Sequence, residues 1–257
     1  MNFYFDDEKH SETVLLLHGF MSDAMSMKSI GDRLNDSYNI LYVDLPGFGA
    51  SLSTTYDYGM EDVSFGISKI LERLKLGPVH VLGYSMGGRT ALSFGILYPD
   101  KVLSLTLESA SPGISESGEK SDRLDVDKKR AEKIMEDYTK FLDGWESMGL
   151  FKSQEALSAE TFKAQREMRA AQQPQEVADS LLKYGTGAQP SYWSRLKELK
   201  IPVCLIVGRN DQKFVEINKK MAESIENVQL KLVEDAGHNI HLESPKKFDI
   251  IITEFLK

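Results

Sequence analysis

Short runs dense in aliphatic side chains recur along the chain: TVLLL (Thr13–Leu17), YNILYV (Tyr38–Val43), VHVL (Val79–Leu82), VLSLTL (Val102–Leu107), VCLIV (Val203–Val207) and VQLKLV (Val228–Val233). Continuous apolar runs of this kind read as strands covered on both faces, and so as members of a parallel sheet. Residues 2–6 (NFYFD) read as a short edge strand. Between these runs the apolar positions fall at helical spacing. The pattern predicts a helix containing Met25 to Leu34, one over Glu61–Leu74 closed by Gly77-Pro78, and one over Pro245–Leu256. Alternating strands and helices define an α/β fold with a mainly parallel sheet and helices on both faces.

The alternation breaks once. From Gly113 to about Pro190 there is no strand signal, and charges and helix formers dominate. From Ala131 onward Ile134, Met135, Tyr138, Phe141, Leu142 and Trp145 form one apolar stripe. Further helices are expected over 159–173 and from Pro174 to Tyr184, with Gly185 as a cap. The expected organisation is a core of residues 1–112 and 191–257 with a helical cap, 113–190, inserted between two strands.

The strand at Val79 leads into Gly83-Tyr84-Ser85-Met86-Gly87-Gly88-Arg89, followed by a helix-compatible segment. Strand, sharp turn and helix with serine at the apex make a nucleophile elbow. A serine hydroxyl is a weak nucleophile or base until a histidine accepts its proton, and a carboxylate fixes that histidine's tautomer. On an elbow fold the acid and then the histidine follow the serine in chain order, on loops after later strands. Asp211 (GRND) and His238 (DAGH) occupy those places. His241, three residues beyond His238, competes with it; Asp235 is nearer to His238 than Asp211 but does not follow a strand end in the same way. His18 more naturally braces a loop. Charge developing on a substrate oxygen needs fixed donors, and the expected pair is the backbone N–H of Met86 and that of Phe20 in HGF.

Composition narrows the partners. The 257 residues are 41% hydrophobic and 27% charged, ordinary for a globular chain, with a net charge of −8. No basic patch of the kind nucleic acid requires is present, yet a few local arginines can still receive an acidic small molecule. The single cysteine, Cys204, cannot form an intrachain disulfide, which fits a reducing compartment. The start, MNFYFDDEK, lacks a basic n-region and a long apolar stretch, and no run reaches membrane-span length. The expectation is a cytoplasmic enzyme, with no nucleic-acid or membrane partner, either a monomer or a homo-oligomer.

Arg89 lies four residues beyond Ser85, about one helical turn, and a guanidinium there invites a carboxylate-bearing substrate. Here the sequence resembles the 2-succinyl-6-hydroxy-2,4-cyclohexadiene-1-carboxylate synthases, menaquinone-pathway lyases of the α/β-hydrolase superfamily. The resemblance runs through LLHGF, VDLPGFG, GYSMGGRTA, ESASPG, WESMGLFKSQ, GTGAQPSYW, GRNDQKF and AGHNIHLESP, nearly the whole chain. It implies removal of pyruvate from 2-succinyl-5-enolpyruvyl-6-hydroxy-3-cyclohexene-1-carboxylate, with Ser85 as base, His238 and Asp211 behind it, and no metal or organic cofactor. For a substrate with three carboxylates it implies a basic pocket at Arg89, Arg123 and Arg169. Tyr84 and Trp145 also match pocket positions, although Trp145 equally reads as cap core. Phe162, Arg166 and Arg169 share one helical face, so an inward Phe162 would aim Arg169 at the cavity, with Arg166 as the alternative. Two departures stand out: Phe48 replaces a histidine usual in the family, and Gln172-Gln173 an Asn pair. The competing readings are a carboxylesterase using Ser85 as acyl carrier, a carbon–carbon bond hydrolase, and a hydrolase-like receptor.

Overall fold

The computed structural model describes residues 1–52 and 57–257. Its seven strands are β1 (Phe3–Asp6), β2 (Thr13–Leu17), β3 (Asn39–Val43), β4 (Val79–Tyr84), β5 (Val102–Glu108), β6 (Val203–Gly208) and β7 (Val228–Val233). They form one sheet in the order β1-β3-β2-β4-β5-β6-β7. Only β1 runs antiparallel, on the edge against β3; every other pairing is parallel.

Among the described residues, ten α-helices connect and cover the sheet: α1 (Lys28–Leu34), α2 (Met60–Leu74), α3 (Met86–Leu97), α4 (Ser117–Glu136), α5 (Tyr138–Glu146), α6 (Ala159–Ala170), α7 (Pro174–Tyr184), α8 (Gln212–Ser224), α9 (Ile240–Glu243) and α10 (Pro245–Leu256). Side chains alternate across a strand, and the two faces of β2 feed two cores. Leu15 and Leu17 belong to one buried cluster with Ile67 of α2, Leu92 of α3 and Met221 of α8. Val14 and Leu16 pack with Ile30 of α1 and Ile252 of α10. This double burial is why the strand runs are continuous rather than alternating.

Four α-helices, α4–α7, lie between β5 and β6, and no strand interrupts them among the described residues. The apolar stripe from Ala131 to Trp145 is not one helix. Asp137 is extended (φ −157°, ψ 96°), and its carboxylate caps α5 by accepting from the Lys140 N–H at 2.9 Å. An aspartate N-cap stabilises a helix start by about 1 kcal/mol, enough to divide a stripe whose spacing alone reads as continuous. The end of α2 also differs from expectation. The left-handed residue that closes it is Lys75 (φ 55°), whose N–H reaches back to Glu72 and Leu71, and not Gly77.

Register sets the functional edge. Leu17 pairs with Gly83, Tyr84 with Glu108, Glu108 with Ile206 and Gly208 with Val233. The carboxyl ends of five adjacent strands therefore lie in a row, and the loops leaving them carry Phe20, Ser85, Ser109, Asp211 and His238. Open parallel sheets place their sites along this edge.

Candidate active site

Ser85 sits at the turn between β4 and α3 with φ 50° and ψ −105°, a left-handed conformation that side chains rarely adopt. The flanking glycines are needed for close approach. A Cβ on Gly83 would lie 2.3 Å from the Gly87 carbonyl, and one on Gly87 2.1 Å from the Leu17 carbonyl. The turn lifts the Ser85 hydroxyl toward β7, where it meets His238 Nε2 at 2.9 Å. His238 Nδ1 donates to Asp211 Oδ2 at 2.6 Å. All three predicted residues are thus brought into one hydrogen-bonded line across four strand ends.

The histidine is held on every side. The Phe214 ring meets it edge-on at 4.7 Å, and Tyr84 lies 5.6 Å away. The Glu243 carboxylate accepts from the N–H groups of Gly237 and Asn239, the peptides on either side of it. His241 is engaged elsewhere: its N–H donates to Glu108 Oε1 at 2.9 Å and its Nδ1 to Glu108 Oε2 at 2.7 Å, in a fully buried pair. Asp235 forms an exposed ion pair with Lys247. Neither alternative read from the sequence reaches Ser85. The carbonyl of Glu108 also accepts the Ser85 N–H at 2.8 Å, so Glu108 touches both the serine turn and the histidine segment.

Met86 is the first residue of α3, where N–H groups have no partner within the helix, and with Phe20 it lines the cavity above Ser85. His18 braces the Phe20 loop. Its Nε2 accepts from Leu45 N–H at 2.9 Å and its Nδ1 donates to the Gly19 carbonyl at 2.7 Å. Phe48, the departure noted above, packs edge-on against both His18 and Phe20. Burial pulls the His18 pKa below its ordinary value, opposed by the Gly19 hydrogen bond. The folded protein therefore resists a proton that the unfolded chain takes up below pH ~6.5. The stability from neutral His18 is full above that pH and is lost as pH falls below it, by up to ~1.4 kcal/mol per unit. Thermal melts between pH 7 and 5 should show a falling midpoint in the wild type and a shallower fall in His18→Asn; equal slopes would assign the dependence elsewhere.

The cavity over the triad measures about 830 Å³ and takes one wall from the strand-end loops and the other from α4–α7. Arg89, Arg123 and Arg169 all line it. Arg89 is held by Gln189 Oε1 and by the Tyr184 carbonyl at 3.3 Å. Among the described residues no carboxylate lies within ion-pair distance of it. Burial, and then the neighbouring Arg123 charge, push its pKa down to about 10. Arg123 donates to Asp127 at 2.9 Å, a fully buried carboxylate that also holds Arg130 at 3.5 Å and the Gly187 N–H at 3.1 Å. Arg169 pairs with Glu146 at 2.9 Å, both side chains nearly buried.

Arg169 reaches the cavity without an inward Phe162. Phe162 is 42% exposed and does not face inward. The inward face of α6 is Gln165 and Arg169, one turn apart, while Arg166 lies outside it on Asp143 and Glu146. Phe162 falls in the first turn of α6, where the neighbouring elements leave that face uncovered. Trp145 is both wall and cap packing: it lines the cavity, contacts Phe20 at 5.2 Å and Phe151 at 5.7 Å, and carries Arg130 at 5.4 Å over its ring. Tyr84 lines the floor, its ring edge-on to His241 at 5.0 Å. Sequence reasoning missed Arg130, whose signal was its spacing from Arg123 and Asp127 on one face of α4, and missed Glu108, Ser109 and Phe214. Among the described residues no group of three or more His, Cys, Asp or Glu could hold a metal ion, and no helix is long and apolar enough to cross a membrane.

Sheet order, elbow and strand-end loops define an α/β hydrolase, and a family model for the alpha/beta hydrolase fold matches residues 12–245. A Bacillus subtilis (strain 168) protein bearing the name 2-succinyl-6-hydroxy-2,4-cyclohexadiene-1-carboxylate synthase is 38% identical, over 96% of this chain and 90% of its own length. The synthase of that name from Serratia proteamaculans (strain 568) is 28% identical over 95% and 92%. The solved structure of MenH from S. aureus superposes with a TM-score of 0.94 at 36% identity, covering 99% of this chain and 97% of its own. The chain belongs to the 2-succinyl-6-hydroxy-2,4-cyclohexadiene-1-carboxylate synthase family of α/β hydrolases.

Proposed function

We propose that the protein is a carbon–oxygen lyase of menaquinone biosynthesis that eliminates pyruvate from 2-succinyl-5-enolpyruvyl-6-hydroxy-3-cyclohexene-1-carboxylate. Ser85, its own proton passed to His238, takes the ring proton next to the succinyl ketone. Asp211 holds the imidazole in the tautomer that accepts at Nε2 and stabilises its charged form. The ketone oxygen, gaining charge as an enolate, is received by the Phe20 and Met86 amides. The electron pair moves through the ring and breaks the bond to the enolpyruvyl oxygen. The departing enolpyruvate takes up a proton and becomes pyruvate, leaving the conjugated ring diene. No acyl-enzyme forms and no cofactor takes part.

The observation that carries this reading is Arg89: a half-buried guanidinium on the cavity wall, one turn from Ser85, whose protein partners are a neutral amide and a carbonyl. A cation drawn partly out of water without a counter-charge is unfavourable, and a substrate carboxylate supplies the missing charge. Arg123, Arg169 and Tyr84, with Trp145 as a wall, complete the pocket for the other carboxylates and the ring. A small polycarboxylate is accordingly the partner, in the cytoplasm, where the buried Cys204 thiol, raised to about 12 by burial, stays reduced. The same Ser85–His238 contact of 2.9 Å also suits attack on a short acyl ester, the second reading.

A paired assay separates the two. One arm follows pyruvate release from the enolpyruvyl substrate by purified protein, and the other hydrolysis of p-nitrophenyl acetate. Rapid pyruvate release supports the lyase. Efficient ester cleavage without pyruvate release overturns it.

A further inference from the structure

We infer that Ser109 is a further substrate-contacting residue: its hydroxyl donates a hydrogen bond to a neutral oxygen of the bound substrate, on the side of Ser85 opposite the Phe20 loop. The inference rests on the lyase reading above and adds a residue to it.

Position comes first. Tyr84 and Glu108 are register partners, and the Ser85 N–H donates to the Glu108 carbonyl. Ser109 follows Glu108 as Ser85 follows Tyr84, so the two serines stand side by side at about the spacing of neighbouring strands, ~4.8 Å. β4 lies between β2 and β5. Ser85 therefore has the Phe20 loop on one flank and Ser109 on the other, and the line from His238 to Ser85 passes over the β5 end.

Backbone and burial then single the residue out. Ser109 has φ 48°, close to the 50° of Ser85, and both lie in the left-handed region that favours glycine. A glycine would meet that backbone demand without strain, so the side chain has another use. Ser109 is fully buried and lines the cavity, yet its Oγ has no hydrogen-bond partner among the described residues. Its backbone is already committed, since the N–H donates to the Ile206 carbonyl at 3.0 Å. A buried hydroxyl without a partner, at a strained position in a cavity lining, keeps a donor that a substrate filling the cavity can take up.

Charge decides what it binds. The arginines on the opposite wall address carboxylates. A hydroxyl beside the reacting centre is a neutral donor, suited to the ring hydroxyl or the enol-ether oxygen, which the guanidinium groups leave unaddressed. A site that hydrogen-bonds a substrate oxygen loses discrimination and rate when the donor is removed.

The test compares wild type, Ser109→Ala and Ser109→Gly, each measured for kcat/KM of pyruvate release and for thermal midpoint. The expected result is a loss of about tenfold or more in kcat/KM in both variants. The midpoint of Ser109→Gly should stay at or above that of the wild type, because glycine relieves the left-handed strain. Retention of wild-type kcat/KM in both variants overturns the contact. So does a drop of about 8 °C or more in both midpoints that accounts for the activity lost, which makes the hydroxyl structural. A wild type that releases no pyruvate overturns the lyase reading, and this contact with it.

Discussion

Ser85→Ala is expected to release pyruvate about 10³-fold more slowly than the wild type, with KM changed little. General-base catalysis contributes on the order of 10²–10⁴ in rate, and the hydroxyl is the atom through which His238 acts. Its Nε2 lies 2.9 Å from Ser85 Oγ, and the imidazole is fixed by Asp211, Phe214 and the Glu243 clamp, so it does not swing in to replace the missing oxygen. The arginines and the two amides remain, which preserves binding and leaves residual turnover. His238→Asn should cost a similar factor, and the double variant little more than either alone, because the residues act as one unit. Single-turnover pyruvate release checks all three. A Ser85→Ala rate within tenfold of the wild type would remove Ser85 from the role of base.

Arg89→Ala should lower kcat/KM for pyruvate release by on the order of 100-fold, equivalent to ~2.7 kcal/mol. A charge-assisted contact to a substrate carboxylate is lost where water is excluded, and Gln189 is left facing an empty position. Arg89→Lys should recover only part of the loss, since a compact ammonium lacks the planar fork that holds a carboxylate. Stability should not fall with it. The Arg89 cation is half-buried and has no carboxylate partner among the described residues, so Arg89→Met is expected to melt near the wild-type temperature while losing activity. Its lowered pKa adds a pH consequence: binding of the polycarboxylate should weaken as pH rises through about 10, in the wild type and not in Arg89→Met. Unchanged kcat/KM in Arg89→Ala would show that the guanidinium serves packing alone.

The Ser85–His238–Asp211 hydrogen-bonded line was legible because each member follows a strand whose apolar run is continuous, and chain order limits the candidates. Arg89 was legible because helical spacing ties it to Ser85. The misses share a cause, which is that they depend on neighbours distant in sequence. Ser109 is one small residue among several in ESASPG, and its left-handed backbone arises where β5 ends beside β6. Glu108 reads as the polar end of a strand until α9 brings His241 to it across the sheet. Phe162 has helical spacing to Arg169, but spacing fixes only a shared face and not which face the cap buries. Asp137 is the reverse case: its signal was local, an aspartate in mid-stripe, and periodicity outweighed it.

Glu108 has a mechanical meaning beyond its hydrogen bonds. Ser85 and His238 are far apart along the chain, yet a single residue takes hold of both the turn that carries Ser85 and the segment that carries His238, by its carbonyl on one side and its carboxylate on the other. The alignment of the reacting pair is gauged by a short rigid strut rather than by the long covalent route. A displacement of the β5 end is then passed to both partners at once.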